Sequence, residues 1–361
     1  MRLCSMKKSL VLFVLVPLLF AGCRLRNYMV PMIVKGELKK IETQKAHRSV
    51  IIARGVRGAT NEEIHGTVDF SPIDHRRWDF QSPERATQVN LFVSMDSWVL
   101  LDHALQKAEK VIGLPSFDPD TYMEFRKEAV RNAMEQNVIY VEDAPDEPDK
   151  YWVLKTEPKE NSFWPYQSVS YILKETKHNV RAMEKDLEGN VVNEFLTEEK
   201  KFDVSYPAEH FEAEIPEDYV IMRYDLNHLT PVKDLPGGVP SDIPSEHTGL
   251  SLSRAVITDA SRIFDYTERQ RVFFYADSEA IGDEILRSPL SRELPLNEVN
   301  AYFNYAGIYT TLRWREAGRD HLIFTDLGPE VALMYAKKVS SRIALENLST
   351  AKEDRENGIK G

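Results

Sequence analysis

Short segments in which β-branched and aromatic residues alternate with polar ones place the strongest constraint on the fold of this chain. They occupy residues 49–54, 64–70, 77–80, 87–93, 151–155, 169–173, 179–186 and 191–196. Turn-forming residues separate them, and a period of two is typical of strands with one buried face. The sequence therefore predicts consecutive antiparallel strands in an α+β fold.

Two pairs of these segments predict hairpins. Residues 179–186 and 191–196 flank Gly189 and Asn190, which supply the positive φ angles of a tight turn. Near the end of the chain, residues 308–315 and 321–325 flank the turn at 316–319. Both pairs are expected to add antiparallel strands.

Three stretches predict helices. In residues 117–136, Asp118 can cap the first turn and Pro119 can open it. Residues 252–263 and 329–345 also carry apolar residues at helical spacing. Residues 98–113 suit either a helix or a strand.

The chain is long enough for two domains, and a composition shift suggests their boundary. Residues 230–249 hold four prolines and three glycines, which is typical of an interdomain linker. The predicted organisation is a signal peptide at 1–22, a lipidated N-terminus and lead-in helix at 23–48, a first domain at 49–229, the linker at 230–249, a small α+β domain at 250–346 and a charged tail at 347–361.

The N-terminus has the features of an export signal. Lys7 and Lys8 precede an apolar run at 10–20, which ends in Ala21, Gly22 and Cys23. This segment resembles the bacterial lipobox. The resemblance implies that residues 1–22 are removed and that Cys23 is lipidated, with the domain facing the periplasm. Arg24 slightly favours the outer membrane. The alternative is an uncleaved anchor or an ordinary secretory signal, and either would also be exported.

Removal of Cys4 and lipidation of Cys23 are expected to leave the mature chain without a free thiol. Disulfides, thiolate metal sites and cysteine nucleophiles are then excluded. The net charge of −11 argues against binding of nucleic acid. Because no second long apolar run follows the signal, the chain is expected to attach to a membrane through acyl chains without spanning it.

The order of elements resembles the LolA-type lipoprotein carriers and the RseB-type periplasmic regulators. The passages that carry the resemblance are 77–83 (Arg-Trp-Asp-Phe-Gln-Ser-Pro) with the strand 89–93, the hairpin 180–192, the aromatic and proline stretch 211–219, and the strand, turn and helix of 318–339. The chain departs from both families by its lipobox and by the helical insertion at 117–136.

The resemblance implies a strongly curved antiparallel sheet, a half-barrel, with covering helices and an apolar cavity able to hold acyl chains. A smaller C-terminal α+β domain would follow. The candidate lining residues are aromatic: Trp98, Phe125, Trp152, Phe163 and Trp164. The alternative is that each of them belongs to an ordinary core.

The sequence lacks the motifs of the common enzyme classes, including the Gly-x-Ser-x-Gly elbow, phosphate and dinucleotide loops, and the His-Glu-x-x-His helix. The best metal candidates, Asp74 with His75 and the run 209–212 (Glu-His-Phe-Glu), are neighbours that would face opposite sides of a strand. No catalytic residue, cofactor or metal is predicted.

Three functional hypotheses remain. The first is a non-enzymatic envelope lipoprotein that binds a lipid-like or apolar ligand, with regulation of a partner protein through the second domain. The second is an interaction or assembly lipoprotein with a solid core. The third is a hydrolase with a dispersed site.

Overall fold

The computed structural model describes residues 36, 39, 45–54, 63–72, 75–81, 88–94, 96–115, 118–159, 166–247, 249–266, 271–288, 291–306 and 308–358. The predicted signal peptide, Cys23, most of the predicted lead-in at 23–48, Phe163 and Trp164 lie outside these residues. Within the described part of the chain, no helix has both the length and the apolar character needed to cross a membrane.

Most of the first predicted domain forms one twelve-stranded open sheet. Its strands are β1 (His47–Arg54), β2 (Glu63–Ser71), β3 (His75–Gln81), β4 (Gln88–Val93), β5 (Ser97–Asp102), β6 (Lys107–Ile112), β7 (Asn137–Asp143), β8 (Tyr151–Pro158), β9 (Gln167–Leu173), β10 (Asn179–Lys185), β11 (Val191–Phe202) and β12 (Val220–Asp225). Their order is β12-β6-β5-β4-β3-β2-β1-β11-β10-β9-β8-β7. All neighbours are antiparallel except β12 and β6.

An eight-stranded second sheet follows. It contains β13 (Thr230–Pro231), β16 (Arg254–Ile257), β17 (Ser261–Asp265), β18 (Phe273–Glu279), β19 (Arg292–Leu296), β20 (Val299–Ala306), β21 (Tyr309–Glu316) and β22 (Arg319–Thr325). Its order is β13-β16-β17-β18-β22-β21-β20-β19. The short strands β14 (Glu246–His247) and β15 (Leu250–Ser251) pair with each other. Two large open sheets with few helices confirm the α+β class.

The described residues contain two long helices, α1 (Pro119–Gln136) and α2 (Pro329–Gly358). The side chain of Asp118 accepts hydrogen bonds from the backbone N–H groups of Asp120 and Thr121, as an N-cap residue does. The predicted start of α1 is therefore confirmed. Helix α2 continues to Gly358, beyond its predicted end near residue 345.

Both predicted hairpins are confirmed, with one correction. β10 pairs with β11 and β21 pairs with β22. In the first turn Gly189 alone has the positive φ, at 90°, while Asp186 accepts the backbone N–H of Asn190 at 2.8 Å.

The predicted helix at 252–263 is wrong, because this stretch holds strand β16 and the start of β17. Thr258 and Ser261 close the turn between them, with the Thr258 hydroxyl donating to the Ser261 carbonyl. The ambiguous stretch 98–113 is also a strand pair, most of β5 and all of β6.

The second sheet lies between the first sheet and α2. One of its faces, through Phe274, Leu322 and Phe324, shares a core with the first sheet. The other packs against α2, where the rings of Tyr275 and Tyr335 lie 5.7 Å apart. Covering helices were expected on the first sheet. The described residues show that α1 and the second sheet share this role.

The Pro/Gly-rich segment 230–249 is packed onto the second sheet. β13 pairs with β16, and Leu235, Val239 and Ile243 contact the second core. Its role as a linker, and the domain boundaries drawn from it, stay predictions.

Candidate functional site

One face of the twelve-stranded sheet carries Trp78, Leu91 and Trp98 and is named here the core face. Strands β2 to β6 form its covered half. Trp98 lies at 0% exposure, and its ring meets that of Phe324 from the second sheet edge to face at 5.9 Å. A Cβ on Gly66 would lie 2.5 Å from Cδ1 of Phe80. The covered half is therefore packed solid.

A charge pair joins the two sheets inside this covered half. Arg313 Nε donates to Glu109 at 3.1 Å, and Nη2 donates to the other carboxylate oxygen at 2.5 Å. Both side chains are at most 3% exposed, and the guanidinium carbon of Arg313 lies 5.1 Å from the ring centroid of Trp98. A bidentate pair at this depth fixes the position of the second sheet on the first.

Strands β8 to β11 and the adjoining side of β1 form the open half of the core face. Strand register places Phe195 opposite Ala53, Ala182 opposite Phe195, Ser170 opposite Ala182 and Leu154 opposite Ser170. Directly opposed residues share a face, so these side chains form one row across the sheet. Ala53 is buried, whereas the other four are half-buried. The two small side chains, Ser170 and Ala182, lie in the middle of this half-buried part of the row.

A polar group closes one end of the open half. Asn193 Nδ2 donates to Glu184 Oε2 at 2.8 Å, and Arg292 from β19 forms an ion pair with the same carboxylate. The Tyr166 hydroxyl donates to the backbone carbonyl of Glu293 at 2.6 Å. Burial raises the pKa of Tyr166, and the negative charge of Glu184 raises it further. The open half thus has an apolar row and a polar end.

Helix α1 connects the core face with the second sheet. Tyr122 is buried in the shared core, and Phe125 packs at its edge. The guanidinium carbon of Arg271 lies 4.6 Å from the centroid of the Phe125 ring, and Nη1 donates to Glu128 at 2.9 Å. Arg271 also pairs with the buried Asp326, whose pKa is raised to about 6 by burial, although Arg271 lowers it in part.

Three of the five predicted lining residues are described, and their surroundings differ, so a shared cavity stays a prediction. Trp98 belongs to the solid covered half, and Phe125 lies on α1 at the edge of the shared core. Trp152 is half-buried on β8, with the Lys174 ammonium 5.8 Å from its ring. Phe163 and Trp164 lie outside the described residues. The sequence did not indicate the row at Leu154, Ser170 and Ala182. Ser170 and Ala182 are small, and nothing in the sequence marks them as neighbours until strand register is known.

The opposite face carries a buried polar network centred on Asp69. Asp69, 1% exposed, accepts two hydrogen bonds of 2.7 Å from Arg48 and one of 3.0 Å from Tyr206. His210 Nε2 lies 2.7 Å from the same carboxylate. Burial opposes ionisation of Asp69, but these partners lower its pKa overall. All acceptor positions are in use, and through Tyr206 and His210 the network clamps residues 206–210 to the sheet.

The predicted metal candidate at 209–212 is part of this clamp, through His210. Asp74 of the other candidate lies outside the described residues. Among the residues that the structure describes, no three His, Cys, Asp or Glu side chains are grouped as metal ligands.

Comparisons with known proteins yield structural neighbours only. No protein-family model matches the sequence, and no curated protein matches it significantly. One solved structure, an uncharacterized conserved protein from Thermus thermophilus, is 14% identical, covers 54% of this chain and 99% of its own, and has a TM-score of 0.36.

Two further structural neighbours have titles that name a protein or a role. MucB from Pseudomonas aeruginosa, in its complex with MucA, is 11% identical over 84% of this chain and 95% of its own, with a TM-score of 0.35. A putative outer membrane lipoprotein-sorting protein domain from Vibrio parahaemolyticus is 11% identical over 50% and 94%, with a TM-score of 0.28. At this level of overlap no residue role transfers to this chain.

Proposed function

We propose that this protein is a non-enzymatic envelope lipoprotein that holds a lipid-like or apolar ligand on the open half of its core face. The half-buried row of Leu154, Ser170, Ala182 and Phe195 carries the proposal, because apolar surface that a protein leaves uncovered inside a fold is suited to an apolar guest. The polar end at Glu184 and Arg292 would orient an amphipathic molecule. Cys23 would anchor the protein through its acyl chains.

The half-barrel expected from the sequence is part of this proposal, with α1 running along the core face. The Arg126 guanidinium lies 6.0 Å from the ring of Phe70 on β2, and the helix ends at Gln136 next to β7.

Native mass spectrometry tests the proposal on the chain without residues 1–24, so that its own acyl chains are absent. We expect co-purified phospholipid or fatty acid, and binding of a fatty acid after delipidation. Ala182→Phe would fill the row and weaken binding about tenfold or more, whereas Val191→Phe, at a position 51% exposed on the adjoining strand, would leave it unchanged. A ligand-free mass that stays unchanged after incubation with lipids would contradict the proposal.

The second candidate is an interaction or assembly lipoprotein, which the solid packing of the covered half favours. Its apolar contacts would then lie at the sheet edges, where Val138, Tyr140, Val220 and Ile221 are exposed. In that case both the parent chain and Ala182→Phe would show only the mass of their own polypeptide, before and after incubation with lipids.

A further inference from the structure

Strand β7 forms one edge of the twelve-stranded sheet. It pairs with β8 along its whole length without a register shift, and Val138 and Tyr140 are 40% and 45% exposed. It contains no lysine, proline or glycine. These residues and irregularities are the usual means by which edge strands avoid pairing with another chain. Its charged residues, Glu142 and Asp143, lie at one end, so the part from Asn137 to Val141 is suited to strand addition.

We propose that β7 pairs antiparallel with β7 of a second copy of this chain, about a two-fold axis at Tyr140. This register places Tyr140 opposite its own equivalent, Val138 opposite Glu142, and Asn137 opposite Asp143. No residue of the strand then faces a like charge, and an aromatic pair lies at the centre. A two-fold contact of this kind is closed, so association stops at the dimer.

The charges at the two ends of β7 complement each other in this arrangement. Helix α1 precedes β7 directly and carries Arg131, which is 53% exposed and lies 3.9 Å from the exposed carboxylate of Glu124. The acidic stretch 142–149 begins with the last two residues of β7 and continues into the loop after it. Three of its carboxylates already have partners, since Lys150, Lys155 and Lys174 pair with Glu147, Glu142 and Asp143 respectively.

Asp146 and Asp149 of the loop are exposed. Antiparallel pairing brings this loop of each copy towards α1 of the other, where Arg131 lies about one and a half turns before the end of the helix. The second free edge offers no such match, because its exposed residues Val220 and Ile221 are consecutive and so face opposite sides of the sheet.

Cysteine cross-linking tests this contact on the chain without residues 1–24, which holds no natural cysteine. Tyr140→Cys places two thiols across the axis, within the range that a disulfide spans. We expect most of this variant to form a disulfide-linked dimer on mild oxidation. Val191→Cys, 51% exposed, should stay largely monomeric.

Sedimentation of the same chain provides the second measurement. We expect a concentration-dependent dimer whose dissociation constant rises about tenfold or more in Tyr140→Lys, since two charges then face each other at the axis. A monomer at every concentration, equal cross-linking of both cysteine variants, or a dimer insensitive to Tyr140→Lys would overturn the proposal. Lipid binding is read separately by mass spectrometry, so failure of either proposal leaves the other intact.

Discussion

The two halves of the core face belong to one continuous sheet, yet they are packed differently. In the covered half the second sheet supplies aromatic rings and a guanidinium group to fill the space around Trp98. In the open half the same face carries Ala182 and Ser170, and the second sheet reaches it at a polar end through Arg292. The difference shows that the second sheet does two things: it completes a core on one side and leaves an uncovered row on the other.

The largest expected effect comes from the charge pair of the covered half. Glu109→Ala should lower the free energy of unfolding by about 3–5 kcal/mol, because it leaves the charge of Arg313 buried without its partner. Glu184→Ala in the open half should cost less, since Arg292 is 19% exposed and can reach water. Urea denaturation of both variants measures the difference, and equal losses would remove this distinction between the halves.

The two tryptophans provide a second comparison. Trp98→Ala should cost about 3–5 kcal/mol, the usual range for removing a large core side chain. Trp152→Ala should cost about 1–2 kcal/mol, because its ring is only half-buried and loses less contact. Chemical denaturation measures both losses. A loss at Trp152 above this range would show that the open half is covered in solution.

Protonation of His321 should weaken the second sheet, which forms the cover, in acid, and the raised pKa of Asp326 offsets part of this loss. Burial lowers the pKa of His321 from 6.5 to about 4. The unfolded chain therefore takes up a proton that the folded chain refuses, and stability falls as the pH drops from 6.5 to 4, by about 3 kcal/mol for this group. In His321→Asn that part of the pH dependence should disappear. An unchanged slope between pH 6.5 and 4 would contradict the assignment to His321.

The smallest and sharpest test uses two alanines of one row. Ala53→Leu should cost about 1–3 kcal/mol, because the side chain has no room in a filled core. Ala182→Leu should change stability by no more than about 0.5 kcal/mol, since the neighbouring space is partly open to solvent. Thermal or urea denaturation of the pair measures the free space at each position. Equal costs would mean that the row is covered throughout.

Local signals in the sequence predicted the elements that local interactions determine. Asp118 and Pro119 set the start of α1, and Gly189 set a hairpin. The stretch 252–263 was misjudged because its apolar spacing suits a helix, whereas pairing of β17 with β18 requires a strand. Partners distant in the chain decided between the two.

The candidate site was less predictable than the fold. An aromatic side chain in the sequence indicates apolar surface but not what covers it. The cover of Trp98 comes from Phe324, more than two hundred residues away, and no pattern near Trp98 signals it. The open row depends on small residues whose common face appears only when five strands are placed in register.

Helix α1 passes into β7 without an intervening loop, since Gln136 is helical and Asn137 is already extended. The helix is held near its start by Tyr122 in the shared core and, one turn further on, by Arg271. The helix is therefore fixed near its start by side-chain packing and joined directly to the edge strand at its end. A tilt of the helix would move β7 with it, because no loop between the two elements absorbs the change.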